Sequence, residues 1–368
     1  MKTAKDKILI CVLTPLSWIY GAVTGVRNWL FDSKVLKEKE YDVPVISVGN
    51  LTVGGSGKTP HVEYIVSCLA MDKKVAVLSR GYKRNTKGFI LANSKSTPRQ
   101  IGDEPYQIYQ KFGKYIQVAV CENRQKGIEE LMRLFPDLEL IVLDDAFQHR
   151  WVKPKVSVLL TDYERPFYND RLLPLGRLRE SIFQVNRADI VVVTKCPDDL
   201  TPLNFRLASK SLNLMTYQQL FFSRYEYGKL KPVFQDDSPY SVSLSSLGSD
   251  DAVLALTGIA HPRHFVRHFK MYPFKVKVSH FPDHHDFSRK DIEKIAEKFN
   301  AMPGKRKIIV TTEKDAVRLM NNPYFPKDIK PYTFFLPVQV RMIRGIDNND
   351  FIESIRASIS ASPVFSTP

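Results

Sequence analysis

The stretch Pro44–His61, PVISVGNLTVGGSGKTPH, decides how the rest of the chain is read. An apolar run enters a glycine-rich turn, meets Gly57-Lys58-Thr59, and leaves as an amphipathic segment. Strand, glycine turn, G-K-T and helix in that order form a phosphate-binding loop. Glycines let successive N–H groups converge on an anion, and the helix behind adds its positive end. The segment Thr52, Val53, Gly54, Gly55, Ser56, Gly57, Lys58 and Thr59 is the expected nucleotide-binding loop. Lys58 is placed to reach the β- and γ-phosphates, and the Thr59 hydroxyl to ligate Mg²⁺. One position departs from the usual spacing: the opening glycine is replaced by Thr52, and Gly49 lies three residues earlier.

Working outward, Leu140–Asp145 reads LIVLDD, four aliphatics delivering two carboxylates at a strand's carboxyl end. Such an aspartate holds Mg²⁺ in phosphate-loop proteins, and open parallel sheets bind ligands at that edge. Asp144 and Asp145 are both metal candidates, and the sequence does not separate them. Short Val/Ile/Leu runs recur at Pro44–Val48, Lys74–Ser79, Ile116–Val120, Leu140–Asp144, Val156–Thr161 and Ile190–Thr194. Helical patterns lie between them, near Thr59–Ala70, Glu104–Phe112, Arg124–Phe135 and Leu178–Val185. The alternation predicts an α/β fold: a phosphate-loop NTPase-like, doubly wound, mainly parallel sheet. A second, smaller α/β domain is expected from Val253–Leu256, Arg263–Lys270, Lys275–His280, Arg289–Asn300 and Lys307–Thr311. The expected divisions are 1–35, an N-terminal membrane-associated helix; 36–200, the nucleotide-binding domain; 201–250, a linker region with strand character; 251–350, the second domain; and 351–368, a C-terminal helix and frayed tail.

With 54 Lys and Arg against 39 Asp and Glu in 368 residues, the net charge of +15 calls for an anionic partner. Four scattered cysteines exclude a disulfide scaffold or zinc ribbon. Ile8–Val26, ILICVLTPLSWIYGAVTGV, carries no formal charge and is flanked by Lys2, Lys5, Lys7 and Arg27. A secretory signal would export the phosphate loop away from cytosolic nucleotide. A core helix and a membrane anchor remain, and the basic flanks favour the anchor. Among phosphate-loop proteins, a guanine reader carries N/T-K-x-D late in the sheet. Here Thr194-Lys195-Cys196-Pro197 lacks the aspartate, so ATP is the expected nucleotide. Dispersed basic residues without interleaved aromatics argue against nucleic acid. The competing class is a phosphate-loop ATPase or GTPase that couples hydrolysis to a protein partner, although no obligate partner is inferred.

Seven motifs stand in order along the chain: GNLTVGGSGKTPH, SRGYKR (Ser79–Arg84), GDEP (Gly102–Pro105), LDDAFQHR (Leu143–Arg150), PLGRLRE (Pro174–Glu180), FPDHHDFS (Phe281–Ser288) and TTEKDAVRL (Thr311–Leu319). Together they resemble the tetraacyldisaccharide 4′-kinase (lipid A 4′-kinase) family of Gram-negative bacteria, over most of the chain to about residue 320. Ala146 stands where that family usually has glycine. The resemblance implies ATP- and Mg²⁺-dependent phosphorylation of the 4′-hydroxyl of an acylated, anionic disaccharide lipid at the cytoplasmic face of the inner membrane. It implies Asp103 as the base that accepts the hydroxyl proton, paired with His284, or else His285. Unaided, Asp103 reads equally as a helix N-cap before Glu104-Pro105. Arg80, Arg124 and Arg179 lie in its motifs as candidate phosphate or substrate contacts, and Gln148 and His149 follow the acidic strand. Glu313 and Lys314 read either as functional or as a charged first helical turn. If Lys58 and His284 serve one substrate, the sequence predicts a cleft between domains that closes on ATP.

Overall fold

The computed structural model describes residues 4–234, 242–283, 285–343 and 350–360. His284, one of the two candidate partners of Asp103, lies outside them, as does the tail 361–368.

Ten helices and fourteen strands are described. The helices are α1 (Ala4–Asp32), α2 (Lys58–Leu69), α3 (Pro98–Ile101), α4 (Asp103–Phe112), α5 (Arg124–Leu134), α6 (Pro202–Leu212), α7 (Arg263–Phe269), α8 (Arg289–Asn300), α9 (Glu313–Met320) and α10 (Phe351–Ser360). The strands are β1 (Val45–Asn50), β2 (Val75–Ser79), β3 (Ile90–Leu91), β4 (Gln117–Val120), β5 (Leu140–Asp144), β6 (Val156–Asp162), β7 (Ile190–Thr194), β8 (Gln219–Tyr227), β9 (Lys231–Pro232), β10 (Ala252–Thr257), β11 (Lys275–His280), β12 (Lys307–Thr312), β13 (Thr333–Leu336) and β14 (Val338–Ile343).

The chain divides into two compact units. The first comprises Met1–Ser96, Ile108–Tyr225 and Val340–Pro368; the second, Thr97–Gln107 and Glu226–Gln339. The first unit is built on a nine-stranded sheet in the order β14-β8-β7-β6-β1-β5-β2-β4-β3. Its central strands pair in parallel. β1, β2, β5 and β7 are buried at every position, which is why they read as unbroken apolar runs rather than alternating ones. β1 lies between β5 and β6, and its register sets Val48 beside Asp144. The phosphate loop and the acidic pair therefore leave the sheet side by side at its carboxyl edge.

The second unit carries a five-stranded sheet, β11-β10-β12-β13-β9, parallel except for the short edge strand β9. Its core packs Leu254, Leu256 and Ile309 on one face and Val253, Ala255, Phe269 and Val310 on the other.

Three sequence expectations meet a different structure. The GDEP segment, expected in the nucleotide-binding domain, falls in the second unit, where Arg318 and Lys314 hold Asp103 and Glu104. The region 201–250, expected as a linker with strand character, carries its strand in the nine-residue β8 but also holds a helix, α6, capped by Thr201. Leu178–Val185 is not an α-helix; only a 3₁₀ segment, Ile182–Arg187, forms there. The backbone ahead of it is extended and bridged: Leu178 pairs with Thr52, and the Arg179 N–H donates to the Leu51 carbonyl at 2.7 Å.

Of α1, Ser17, Asn28 and Phe31 are buried, while Trp18, Ile19, Val23, Val26 and Trp29 are all more than half exposed. From Ile10 to Asp32 it is long and apolar enough to cross a membrane. An apolar helix face left open is costly in water and favourable against lipid.

Candidate active site

The site grows from the carboxyl edge of the first unit's sheet. Gly49 is required there by close approach: a Cβ on it would meet the Phe147 backbone nitrogen at 2.8 Å. The segment after β5 crosses β1 at this point. Thr52 replaces the expected glycine because residues 51–53 are extended and paired with 177–179, where a β-branched residue fits. The loop then turns at Gly54 (φ 107°) and Gly57 (φ 90°), left-handed conformations that glycine adopts without strain. α2 starts on Gly57 with no side-chain cap. Its first amides are thus offered to an external acceptor.

Side chains converge on this loop. Lys58 Nζ lies 3.6 Å from Asp145 Oδ1 and 3.4 Å from Asn50 Oδ1. Asn50 also donates to the Ser56 hydroxyl at 2.7 Å. Arg179 donates to Asp145 at 2.9 Å and to the Gln148 side chain at 3.2 Å, and Gln148 donates to the Asn50 carbonyl at 2.8 Å. Burial would raise the Asp145 carboxyl, but Lys58, Arg179 and Arg124 outweigh it and hold it below the usual range. Asp145 is therefore a carboxylate between two cations, still 32% exposed. Asp144 is almost wholly buried beside it.

The oxygens of Thr59, Asp144 and Asp145 are the hard ligands Mg²⁺ takes. Among the described residues no cluster of three or more His, Cys, Asp or Glu forms a protein-only metal cage. Mg²⁺ in phosphoryl-transfer sites uses one or two carboxylates and completes its shell from water and phosphate, so this donor set fits it.

The other candidates separate. Arg124 is buried and donates to the carbonyls of Cys121, Glu122 and Asp144, and burial lowers its pKa to about 10. It braces the turn that carries the acidic pair. Arg80 is exposed just past β2. His149 is driven down to about 4, by burial first and then by Arg124, Arg27 and Arg80, so it is neutral at pH 7. In the second unit, Asp103 opens α4 and accepts two hydrogen bonds from Arg318, at 2.6 and 2.9 Å. His285 Nε2 lies 3.0 Å from Asp291 Oδ2 and its ring stacks on Phe281 at 4.8 Å, so it is engaged in its own loop. Glu313 and Lys314 form the first turn of α9, with Lys314 3.1 Å from Glu104.

Several residues escaped the sequence reading. Arg27 of α1 donates to the Gln148 carbonyl at 2.9 Å and to buried Glu180 at 2.8 Å; Arg187 takes the second Glu180 oxygen at 2.6 Å. The Tyr20 hydroxyl donates to the Arg179 carbonyl at 2.8 Å. The apolar helix thereby holds the backbone that aims Arg179. Beneath the loop, His61, Thr194 and Lys195 are buried and bonded to it, and buried Ser223 is bonded to His61. The motif T-K-C-P offered a signal for Thr194 and Lys195, but as part of an incomplete base-reading motif.

The arrangement has known counterparts. The sequence profile of a family described as tetraacyldisaccharide-1-P 4′-kinase matches residues 9–360. The tetraacyldisaccharide 4′-kinase of Bacteroides thetaiotaomicron is 50% identical over 340 residues, covering 90% of this chain and 89% of that protein. The Porphyromonas gingivalis W83 protein of the same name is 44% identical, covering 90% and 92%. Among solved structures, LpxK from Aquifex aeolicus in complex with ATP superposes with a TM-score of 0.69 at 32% identity, covering 95% of this chain and 98% of that one.

Proposed function

The chain belongs to the tetraacyldisaccharide-1-P 4′-kinase family, and from that premise we infer that it transfers the γ-phosphoryl group of ATP to the 4′-hydroxyl of tetraacyldisaccharide 1-phosphate, a step of lipid A biosynthesis. The observation that carries the inference within the structure is the uncapped start of α2 behind a glycine loop, with Lys58 3.6 Å from Asp145.

The residues divide the work as follows. The amides of Gly54–Thr59 surround the triphosphate, and Lys58 neutralises its β- and γ-oxygens. Before ATP arrives Lys58 faces Asp145; the γ-phosphate then takes over that cation, and Arg179 keeps Asp145 paired. Mg²⁺ held by Thr59 and by Asp144 or Asp145 would offset charge on the bridging phosphate oxygens. Arg179 and Gln148 line the mouth as contacts for the transferring group, and a guanidinium suits a phosphoryl group through its paired donors. Arg124 acts from below, by bracing the turn. Arg80 and neutral His149 are assigned to the anionic acceptor.

A sugar hydroxyl loses its proton reluctantly, so a base speeds the attack. Asp103 is assigned that role with His284 as its partner, because Asp291 and Phe281 already engage His285. The enzyme is assigned to the cytoplasmic face of the inner membrane, where both ATP and an acylated acceptor are within reach; the length and apolar character of α1 support that reading. The surplus of basic residues suits anionic lipid.

The test is a [γ-³²P]ATP assay with tetraacyldisaccharide 1-phosphate in mixed micelles. The expected result is labelled lipid formed only when acceptor is present. Rapid release of labelled inorganic phosphate without acceptor, and no labelled lipid with it, would instead identify a hydrolase coupled to some other partner.

A further inference from the structure

Three consecutive carbonyls of the phosphate loop are each tied to a different buried side chain. The Gly55 carbonyl accepts from Lys195 Nζ. The Ser56 carbonyl accepts from the Thr194 hydroxyl at 2.8 Å. The Gly57 carbonyl lies 2.7 Å from His61 Nδ1. A carbonyl only accepts, so Nδ1 carries the proton, and Nε2 accepts from the Ser223 hydroxyl at 2.8 Å. Lys195 is anchored in turn by Asp162 at 2.6 Å.

A trans peptide is planar, with its N–H pointing opposite to its C=O. Fixing the carbonyl of one residue therefore fixes the direction of the next residue's amide. Thr194 sets the Gly57 N–H and His61 sets the Lys58 N–H, while Lys195 sets the Ser56 N–H, which donates to the Gly54 carbonyl at 2.9 Å. We propose that His61, together with Thr194, is a positioning residue for ATP: it holds the phosphate loop's peptide planes so that the Gly57 and Lys58 amides face the nucleotide before it arrives. Preorganised donors lose no reorganisation energy when the anion binds. The inference rests on the kinase reading above and adds to it residues that touch neither ATP nor the acceptor.

The site has the marks of a built device. His61, Thr194 and Ser223 are fully buried, and Ser56 and Lys195 nearly so. The tethers come from α2 and from the carboxyl end of β7, and Ser223 of β8 holds the His61 ring from behind. Tyr225 of β8 closes the space on the Gly57 side, where a Cβ would meet its hydroxyl at 2.5 Å.

The experiment compares the full-length enzyme with His61→Ala, His61→Asn and Thr194→Val. ATP binding is read by calorimetry with Mg²⁺ present, the Michaelis constants for ATP and for the lipid acceptor are measured separately, and melting temperature serves as the folding check. Losing one carbonyl tether should raise the ATP dissociation constant about tenfold in His61→Ala and Thr194→Val. The acceptor's Michaelis constant should stay within about twofold, and His61→Asn, whose amide nitrogen can still donate to Gly57, should return to within about threefold of wild type. If His61→Ala does not fold, the near-isosteric Thr194→Val decides. Wild-type ATP affinity in both would overturn the proposal while leaving the kinase intact. So would equal losses toward ATP and acceptor that His61→Asn does not restore. A wild-type enzyme that binds no ATP would instead overturn the kinase reading beneath it.

Discussion

Two helices in this molecule follow a buried strand at the carboxyl edge of a parallel sheet, and they treat their first amides in opposite ways. α9 follows β12 with no loop between. Its N-cap, Thr312, accepts from the Asp315 N–H at 3.2 Å, and the Asp315 carboxylate accepts from the Thr312 hydroxyl at 2.7 Å and from the Gly258 N–H at 2.8 Å. Its N3 donor is satisfied from within, by a side-chain cap. α2 begins on a left-handed glycine with no side-chain cap, and neighbouring side chains take the loop's carbonyls rather than its amides. A helix start at a sheet edge is thus not in itself an anion site. What makes one is leaving the amides uncommitted and aiming them.

The largest effect is expected at Lys58. Lys58→Ala removes the cation that the open amides assist and should lower kcat by about 10²–10³-fold in the labelled-phosphate assay. Activity near wild type would remove α2's start from the chemistry.

Acid should separate the two helix starts next. Burial pushes His61 down to about 4 from an ordinary 6.5. Between those values the unfolded chain takes up a proton that the folded chain refuses. Stability is then complete above pH 6.5 and falls as pH drops toward 4, by about 3 kcal/mol for this residue. His149 acts in the same direction. Urea unfolding of wild type and His61→Asn at pH 7 and 4.5 should show a smaller acid loss in the variant; equal losses would contradict a buried neutral imidazole.

Gly57→Ala sharpens the contrast in backbone terms. It places a side chain at φ 90° and against the Tyr225 hydroxyl, so it should cost about 1–3 kcal/mol in thermal unfolding and weaken ATP binding as well. Thr312→Ala is the counterpart in the second unit. It should cost about 1 kcal/mol of stability and leave the ATP Michaelis constant unchanged. A change in that constant would mean α9's cap does more than satisfy its own amides.

The sequence made much of this legible. The central strands stood out as Val/Ile/Leu runs because they are buried on both faces, and the G-K-T run marked the start of α2. The irregular run 171–181 reads as partly helical because Leu178, Ile182 and Val185 recur at helical spacing. What overrides that pattern is distant in sequence: pairing with 51–53, and buried Glu180 held by Arg27, 153 positions away. The same holds for the tethers under the loop. Ser223 is 162 positions from His61, and Thr194 is 138 from Ser56. Local periodicity carries no record of such partners. Lys195 was visible in T-K-C-P, but its bond to the Gly55 carbonyl appears only in the fold.

The most direct test of the account is a crystal structure of the enzyme soaked with a non-hydrolysable ATP analogue and Mg²⁺. The account predicts the β-phosphate within hydrogen-bonding distance of the Gly57 and Lys58 amides, with Lys58 Nζ moved from Asp145 onto the phosphates. Triphosphate density elsewhere, with those amides facing away from it, would contradict the account.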